Sequence, residues 1–134
     1  MEDIFVRVLL GHLFGDYLLQ SKDMAIKKSE TGIKGLGWCT LHCIIYTFCV
    51  CLFLWKINPL VIVLVFLSHW PIDRWSLASW WLKFIGGRDF IAAFTSKDRY
   101  RDIDLSFSCL VYAVVDNTMH FTLLWLIVRL ISFI

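Results

Sequence analysis

Four long apolar segments alternate with polar connections along this sequence. They cover about residues 4–20, 38–55, 60–81 and 105–128. Apolar runs of about 18 residues or more are typical of membrane-spanning helices. The pattern therefore predicts an all-α protein, a four-transmembrane-helix bundle that forms a single integral membrane domain over residues 1–134. The composition agrees, since 59% of the residues are hydrophobic, against about 45–50% in soluble domains.

Basic residues are concentrated in two connections and predict the orientation of the bundle. Residues 21–37 contain four Lys or Arg, and residues 82–104 contain five. Because cytoplasmic loops are enriched in Lys and Arg, both connections are expected in the cytoplasm and both termini outside. The net charge of +2 arises from these loops. It indicates orientation, and no nucleic-acid partner is predicted.

Local signals refine two of the connections. Asn58 can cap the third span and Pro59 suits its first helical position, whereas Pro71 is expected to kink that span. In the third loop, the apolar stretch 90–94 precedes several basic residues. A short helix on the membrane surface and an ordinary charged loop are equal alternatives there.

All four histidines lie in the apolar segments, and three have an aspartate one helical turn away. The pairs are His12 with Asp16, His69 with Asp73, and Asp116 with His120. A spacing of four places both side chains on one helical face. The last pair is reversed, but its helix also runs in the opposite direction. The topology therefore predicts an aspartate layer on the cytoplasmic side and a histidine layer about 6 Å further out, with His42 near the aspartates.

Three intramembrane carboxylates require compensation. Each costs about 2.5–3.5 kcal/mol at the centre of a span, so they must face inward and find partners. A buried divalent metal site is the leading interpretation, with zinc preferred over manganese or iron. The predicted ligands are His12, Asp16, His42, His69, Asp73, Asp116 and His120. A proton or ion path without a fixed metal, and purely structural polar packing, are the alternatives.

Other polar residues near these pairs are also predicted to contribute to the site. Gln20 and Asn117 are predicted to contact the ligands without binding metal themselves. Arg74 either pairs with a carboxylate, binds a substrate phosphate or extends toward the interface. Asp16, Asp73 and Asp116 are the candidate catalytic groups, since an aspartate not bound to metal can act as a general base.

The polar motifs resemble those of the domain of unknown function 3307 family, small multi-pass membrane proteins of bacteria and phages. The resemblance rests on His12-x-x-x-Asp16-x-x-x-Gln20, His42, His69-x-x-x-Asp73 and Asp116-Asn117-x-x-His120, and it covers most of the chain. Asn117 stands where the family pattern leads us to expect glutamine. The resemblance implies location in the bacterial cytoplasmic (inner) membrane. A looser similarity links the pattern to small membrane-bound metal-dependent hydrolases.

The function predicted from these features is metal-dependent hydrolysis of a lipid-linked or phosphorylated substrate. The bound metal would lower the pKa of a water molecule and supply hydroxide. A transporter or channel for protons or metal ions would use the same residues as a relay. A third hypothesis is a phage- or defence-associated membrane effector acting through a partner. Membrane lipid is the expected surrounding partner, and a homo-oligomer is an open alternative.

Overall fold

Residues 2–131 are described in the computed structural model of the protein, and their regular structure is entirely helical. The elements are α1 (Glu2–Leu13), one π-helical turn (Phe14–Leu18), α2 (Lys22–Lys27), α3 (Gly32–Leu54), α4 (Pro59–Arg74), α5 (Leu77–Phe84), α6 (Phe90–Thr95) and α7 (Arg101–Ile131). The predicted all-α class is confirmed for this part of the chain.

Four helices close into a ring around a common interior. Helix α3 packs against α1 and α4, and α7 packs against α4 and α1. One part of the interior is apolar and is built by residues from all four helices, among them Val8, Val50, Val65 and Leu124. The polar histidines occupy another part of the same interior, so the ring itself brings the motifs of the sequence together.

Two helices, α3 and α7, are long and apolar enough to cross a membrane. Helices α4 and α5 pass the same test together as one span bent by 53°. The described chain thus has two or three candidate spans. The predicted first span, residues 4–20, is divided between α1 and the π-helical turn and is not among these candidates.

The third predicted span breaks at a different place from the expected kink. Pro71 lies inside α4, and the helix ends at Trp75, whose N–H donates to the Pro71 carbonyl at 3.2 Å. Ser76 then adopts φ of 47°, in the left-handed region. The change of direction therefore comes from the backbone at residues 75–76, after the polar motif, rather than from the missing N–H of the proline.

The start of α4 confirms the predicted cap. Asn58 accepts a hydrogen bond from the Leu60 N–H at 2.8 Å, and Pro59 occupies the first turn. Helix α3, in contrast, begins at Gly32 rather than at residue 38, so part of the predicted loop is helical. Its glycines remain compatible with a helix because the packing of the ring outweighs their low helix propensity.

The third loop contains a short helix, α6, which confirms a helix at the apolar stretch predicted there. The carboxylate of Asp89 caps α6 by accepting hydrogen bonds from the N–H groups of Ile91 at 2.9 Å and Ala92 at 3.3 Å. Lys83 lies 2.7 Å from the same carboxylate and lowers the pKa of Asp89. The position of α6 on a membrane surface stays a prediction.

Close approach of α1 to α3 predicts that Gly11 cannot be enlarged without cost. A methyl group on Gly11 would lie 2.8 Å from Val50 Cα, in the backbone of α3. We expect Gly11→Ala to lower the free energy of unfolding by about 1–3 kcal/mol through overpacking. Thermal unfolding in detergent measures the effect.

The matched control is Gly37→Ala, since a methyl group on Gly37 meets nothing within 4 Å. There the better helix propensity of alanine should leave stability unchanged or raise it by up to about 1 kcal/mol. Equal unfolding temperatures for the Gly11 and Gly37 variants would contradict the close packing of α1 on α3.

Candidate metal centre

The residues of the polar interior come from the last turn of α1, from the π-helical turn that follows it, and from α3, α4 and α7. The four imidazoles are buried, with exposed fractions of 0% for His12 and His42, 1% for His69 and 2% for His120. The π-helical turn carries Asp16, and such turns are frequent at functional sites because they shift the register of side chains. Large apolar residues cover the outside of the same helices.

Four atoms from three parts of the chain lie close together. The ring nitrogens Nε2 of His42 and His69 lie 3.1 Å apart, and each lies 3.1 Å from Asp73 Oδ2. Asp16 Oδ1 lies 3.1 Å from the His42 nitrogen and 3.3 Å from the His69 nitrogen. We call His42, His69, Asp73 and Asp16 the primary cluster.

The contacts of the primary cluster have the spacing of metal ligands. Within the described residues, Asp16 Oδ1 makes no hydrogen bond, and Asp73 Oδ2 has an ion-pair contact with Lys28 Nζ at 2.9 Å. A buried acceptor without a partner costs about 1–3 kcal/mol, and a charged one more. Ligand atoms of a tetrahedral zinc ion, each about 2.0–2.1 Å from the metal, are roughly 3.3 Å apart. His42, His69 and Asp73 could therefore hold one cation, and Asp16 Oδ1 lies beside them.

A second group of potential ligands adjoins the first. His120 Nε2 lies 3.6 Å from Asp73 Oδ1 and 3.7 Å from Asp116 Oδ2. We call Asp73, Asp116 and His120 the secondary cluster. The ring of His120 stacks on that of His69 with centroids 4.0 Å apart, which brings the two clusters side by side.

Both ring nitrogens of His12 are engaged outside these clusters. Nδ1 lies 3.0 Å from the Tyr46 hydroxyl, and Nε2 lies 2.6 Å from Asn117 Oδ1. The Asn117 amide nitrogen donates to the Ala113 carbonyl at 2.6 Å and to the Tyr17 hydroxyl, so its oxygen must face His12. Neutral His12 therefore donates from Nε2 and accepts the Tyr46 proton at Nδ1. The same Nδ1 lies 3.4 Å from Asp16 Oδ2 and, having no proton in this tautomer, does not donate to that carboxylate.

Of the seven predicted ligands, six therefore fall in the two clusters, and His12 lies beside them. The predicted proximity of His42 to the aspartates is found, since its nitrogen lies 3.1 Å from both Asp16 and Asp73. Arg74 does not contact a carboxylate of either cluster. Its guanidinium donates to the Glu30 carbonyl at 2.6 Å and fastens the connection before α3.

Lys28 and Gln20 form one edge of the primary cluster. Lys28 Nζ lies 2.9 Å from Asp73 Oδ2. The side-chain amide of Gln20 is oriented so that both its oxygen and its nitrogen are hydrogen-bonded. The oxygen accepts from Lys28 Nζ at 3.0 Å, and the nitrogen donates to the backbone carbonyl of Asp16 at 3.2 Å. Burial opposes a charge on Lys28, but the Asp73 carboxylate raises the pKa of its ammonium group. Lys28 is thus a fixed positive charge beside the candidate ligands.

Sequence reasoning missed two contributors, Lys28 and Tyr46. The Tyr46 ring stacks on His69 with centroids 3.6 Å apart, and its hydroxyl contacts His12. Tyr46 follows His42 by four residues, so the spacing that revealed the His/Asp pairs could also have revealed it. Lys28 gave no such signal because it reaches the cluster from a polar connection without periodicity.

Comparison with known proteins places this site in a family context. A family model described as "Protein of unknown function (DUF3307)" matches residues 4–133. The chain belongs to this family. The predicted resemblance is therefore confirmed, and the match spans every residue of both clusters. No curated protein and no solved structure matches the chain. The DUF3307 family supplies no activity, so function must be argued from the site.

The environment of Lys28 predicts slow chemical modification. Acylation requires a neutral, accessible amine, and the Lys28 side chain is only 13% exposed and has a raised pKa. We expect an amine-reactive ester at pH 8 to modify Lys28 several-fold more slowly than the exposed Lys34. Peptide mass spectrometry of the protein in detergent measures both rates. Equal rates at the two lysines would contradict the ion pair with Asp73.

Proposed function

We propose that this chain is a four-span integral membrane protein that holds a divalent metal in its polar interior and hydrolyses a lipid-linked or phosphorylated substrate. The single observation that carries the proposal is the primary cluster, in which one oxygen each of Asp16 and Asp73 lies at ligand spacing from the same two imidazole nitrogens, those of His42 and His69. Asp16 Oδ1 makes no hydrogen bond within the described residues, whereas ordinary polar packing would provide such a buried acceptor with a donor.

A charge argument supports a divalent cation in particular. The interior contains the carboxylates of Asp16, Asp73 and Asp116, and Lys28 provides one positive charge beside them. One divalent ion would bring the ionised set to neutrality. Without it, several uncompensated charges would face a low-dielectric interior, at a cost of several kcal/mol per ion. Zinc is the preferred ion because two imidazoles and two carboxylates suit its tetrahedral geometry, and manganese or iron would also fit.

The proposed topology agrees with the position of Lys28. If the two basic connections are cytoplasmic, the Asp73 end of the cluster faces that side, where Lys28 lies. Helix α1 and the π-helical turn together cover residues 2–18, and 17 helical residues extend about 25 Å. This is short for a span of about 30 Å, but the packing of α1 between α3 and α7 supports its inclusion as the fourth.

Hydrolysis is the chemistry that the cluster supports best. A bound divalent metal lowers the pKa of a water molecule to about 7, which makes hydroxide available at neutral pH. Asp16 binds through Oδ1 in this proposal, so its Oδ2 stays free to accept a proton. His12 lies 3.4 Å from that oxygen, and Tyr46 and Asn117 hold its ring in place. A substrate phosphate could approach the positive charge of Lys28 from the cytoplasmic side.

The continuity of the polar network favours a second candidate, a proton or ion path. Contacts of 3.7 Å or less connect His12, Asp16, His69, Asp73, His120 and Asp116 in series. A series of titratable groups inside a membrane bundle can pass protons. Flux into liposomes without turnover of any substrate would favour this function over hydrolysis.

Elemental analysis tests the proposed metal. Protein purified in detergent should contain a transition metal, and His42→Ala and His69→Ala should each lose it because each removes one of the four ligands. Loss of one ligand or its immediate support typically costs at least 10–100-fold in metal affinity. Chelation of the metal should also abolish turnover in a screen of lipid-linked and phosphorylated substrates.

Thr47→Val is the matched control. Thr47 is equally buried on α3, its hydroxyl has no hydrogen-bond partner within residues 2–131, and it belongs to neither cluster. The variant should keep the metal. Far-UV circular dichroism and gel filtration confirm that each variant folds. A folded wild-type protein that takes up neither zinc, manganese nor iron would refute the proposal.

A further inference from the structure

We propose that the secondary cluster binds a second divalent cation, and that the carboxylate of Asp73 bridges it to the cation of the primary cluster. The inference rests on the proposed metal site and deepens it, because it changes the centre from one metal to two. Carboxylate-bridged metal pairs held by Asp or Glu and His from several helices are a known solution in helical bundles.

The two oxygens of Asp73 face different clusters. Oδ2 lies 3.1 Å from the Nε2 atoms of His42 and His69, whereas Oδ1 lies 3.6 Å from His120 Nε2. A single carboxylate that presents one oxygen to each of two ligand groups has the geometry of a bridge. Metals joined in this way are about 3.5–4 Å apart, and the stacking of the His69 ring on the His120 ring, with centroids 4.0 Å apart, places the two ligand groups next to each other.

His120 Nε2 is an independent sign of a ligand at the secondary cluster. The side chain is 2% exposed, and this nitrogen has no hydrogen-bond partner within the described residues. It faces Asp73 Oδ1 and Asp116 Oδ2 at 3.6 and 3.7 Å. These distances suit three ligands that each lie roughly 2.2 Å from a common ion in near-tetrahedral geometry.

A direct ion pair explains the secondary cluster less well. A protonated imidazole beside two carboxylates would form charge-assisted hydrogen bonds of about 2.7–2.9 Å. The observed separations are almost 1 Å longer, and neither gives a hydrogen bond. Asp116 and His120 are one turn apart on α7 and could close on each other with small rotations. Their spacing is therefore better explained by an ion between them.

Two divalent cations would also favour the binding of an anionic substrate at the centre. With Lys28 they provide five positive charges against the three carboxylates of Asp16, Asp73 and Asp116. The excess of two positive charges attracts an anion into the site. This agrees with a phosphorylated substrate, and two-metal centres commonly clamp phosphoryl oxygens.

Manganese binding to the full chain in detergent tests the inference without needing a substrate. The wild-type protein should bind two Mn²⁺ per chain and give the electron paramagnetic resonance spectrum of an exchange-coupled pair. Asp116→Asn should bind one Mn²⁺ and give the spectrum of an isolated ion. His120→Asn should behave in the same way, and it serves if the Asp116 variant fails to fold.

Asp102→Asn is the matched control, because it removes the same charge from the same helix at a side chain that is 83% exposed. It should keep both ions and the coupled spectrum. A single uncoupled Mn²⁺ in the wild-type protein, or two ions retained in both cluster variants, would overturn the second site and leave the single-metal proposal intact. A wild-type protein that binds no Mn²⁺ and no other transition metal would overturn both.

Discussion

The enclosure of three carboxylates, one buried and two partly buried, beside four buried imidazoles is the constraint on which the rest of this structure depends. An apolar ring of helices cannot hold such charges unless they are compensated locally. Lys28 compensates the carboxylate of Asp73, and hydrogen bonds from Tyr46 and to Asn117 hold the ring of His12 beside the carboxylate of Asp16. The remaining charge and the unpartnered Asp16 Oδ1 are what a divalent cation would satisfy. The arrangement is difficult to explain as packing alone.

The ring of helices and the polar cluster support each other. Gly11 and Gly15 let α1 approach the α3 backbone closely, and this approach brings Asp16 to His42. Helix α3 in turn contacts α4, which carries His69 and Asp73. The α4 helix ends only after its motif is complete, at residues 75–76, so both of its polar residues lie on a regular helix. Backbone geometry thus brings the candidate ligands together.

Much of the site could be predicted because helical periodicity is local. Residues four apart share a face whatever the tertiary structure, so the His/Asp pairs were visible in the sequence, as was the cap at Asn58. Lys28 could not be predicted, since it reaches Asp73 across a connection whose path depends on tertiary packing. The break at Ser76 could not be predicted either. Serine is an uncommon residue at positive φ, whereas Pro71 is the usual signal for a kink.

X-ray absorption spectroscopy tests the central claim most directly, with zinc added to the wild-type protein at less than one equivalent. The account predicts nitrogen and oxygen ligands at about 2.0–2.1 Å, with outer-shell scattering from two imidazoles. In His42→Ala, the scattering of one imidazole should be lost. A spectrum without imidazole scattering, or with sulfur at about 2.3 Å, would contradict the assignment of His42, His69, Asp73 and Asp16 as the metal ligands.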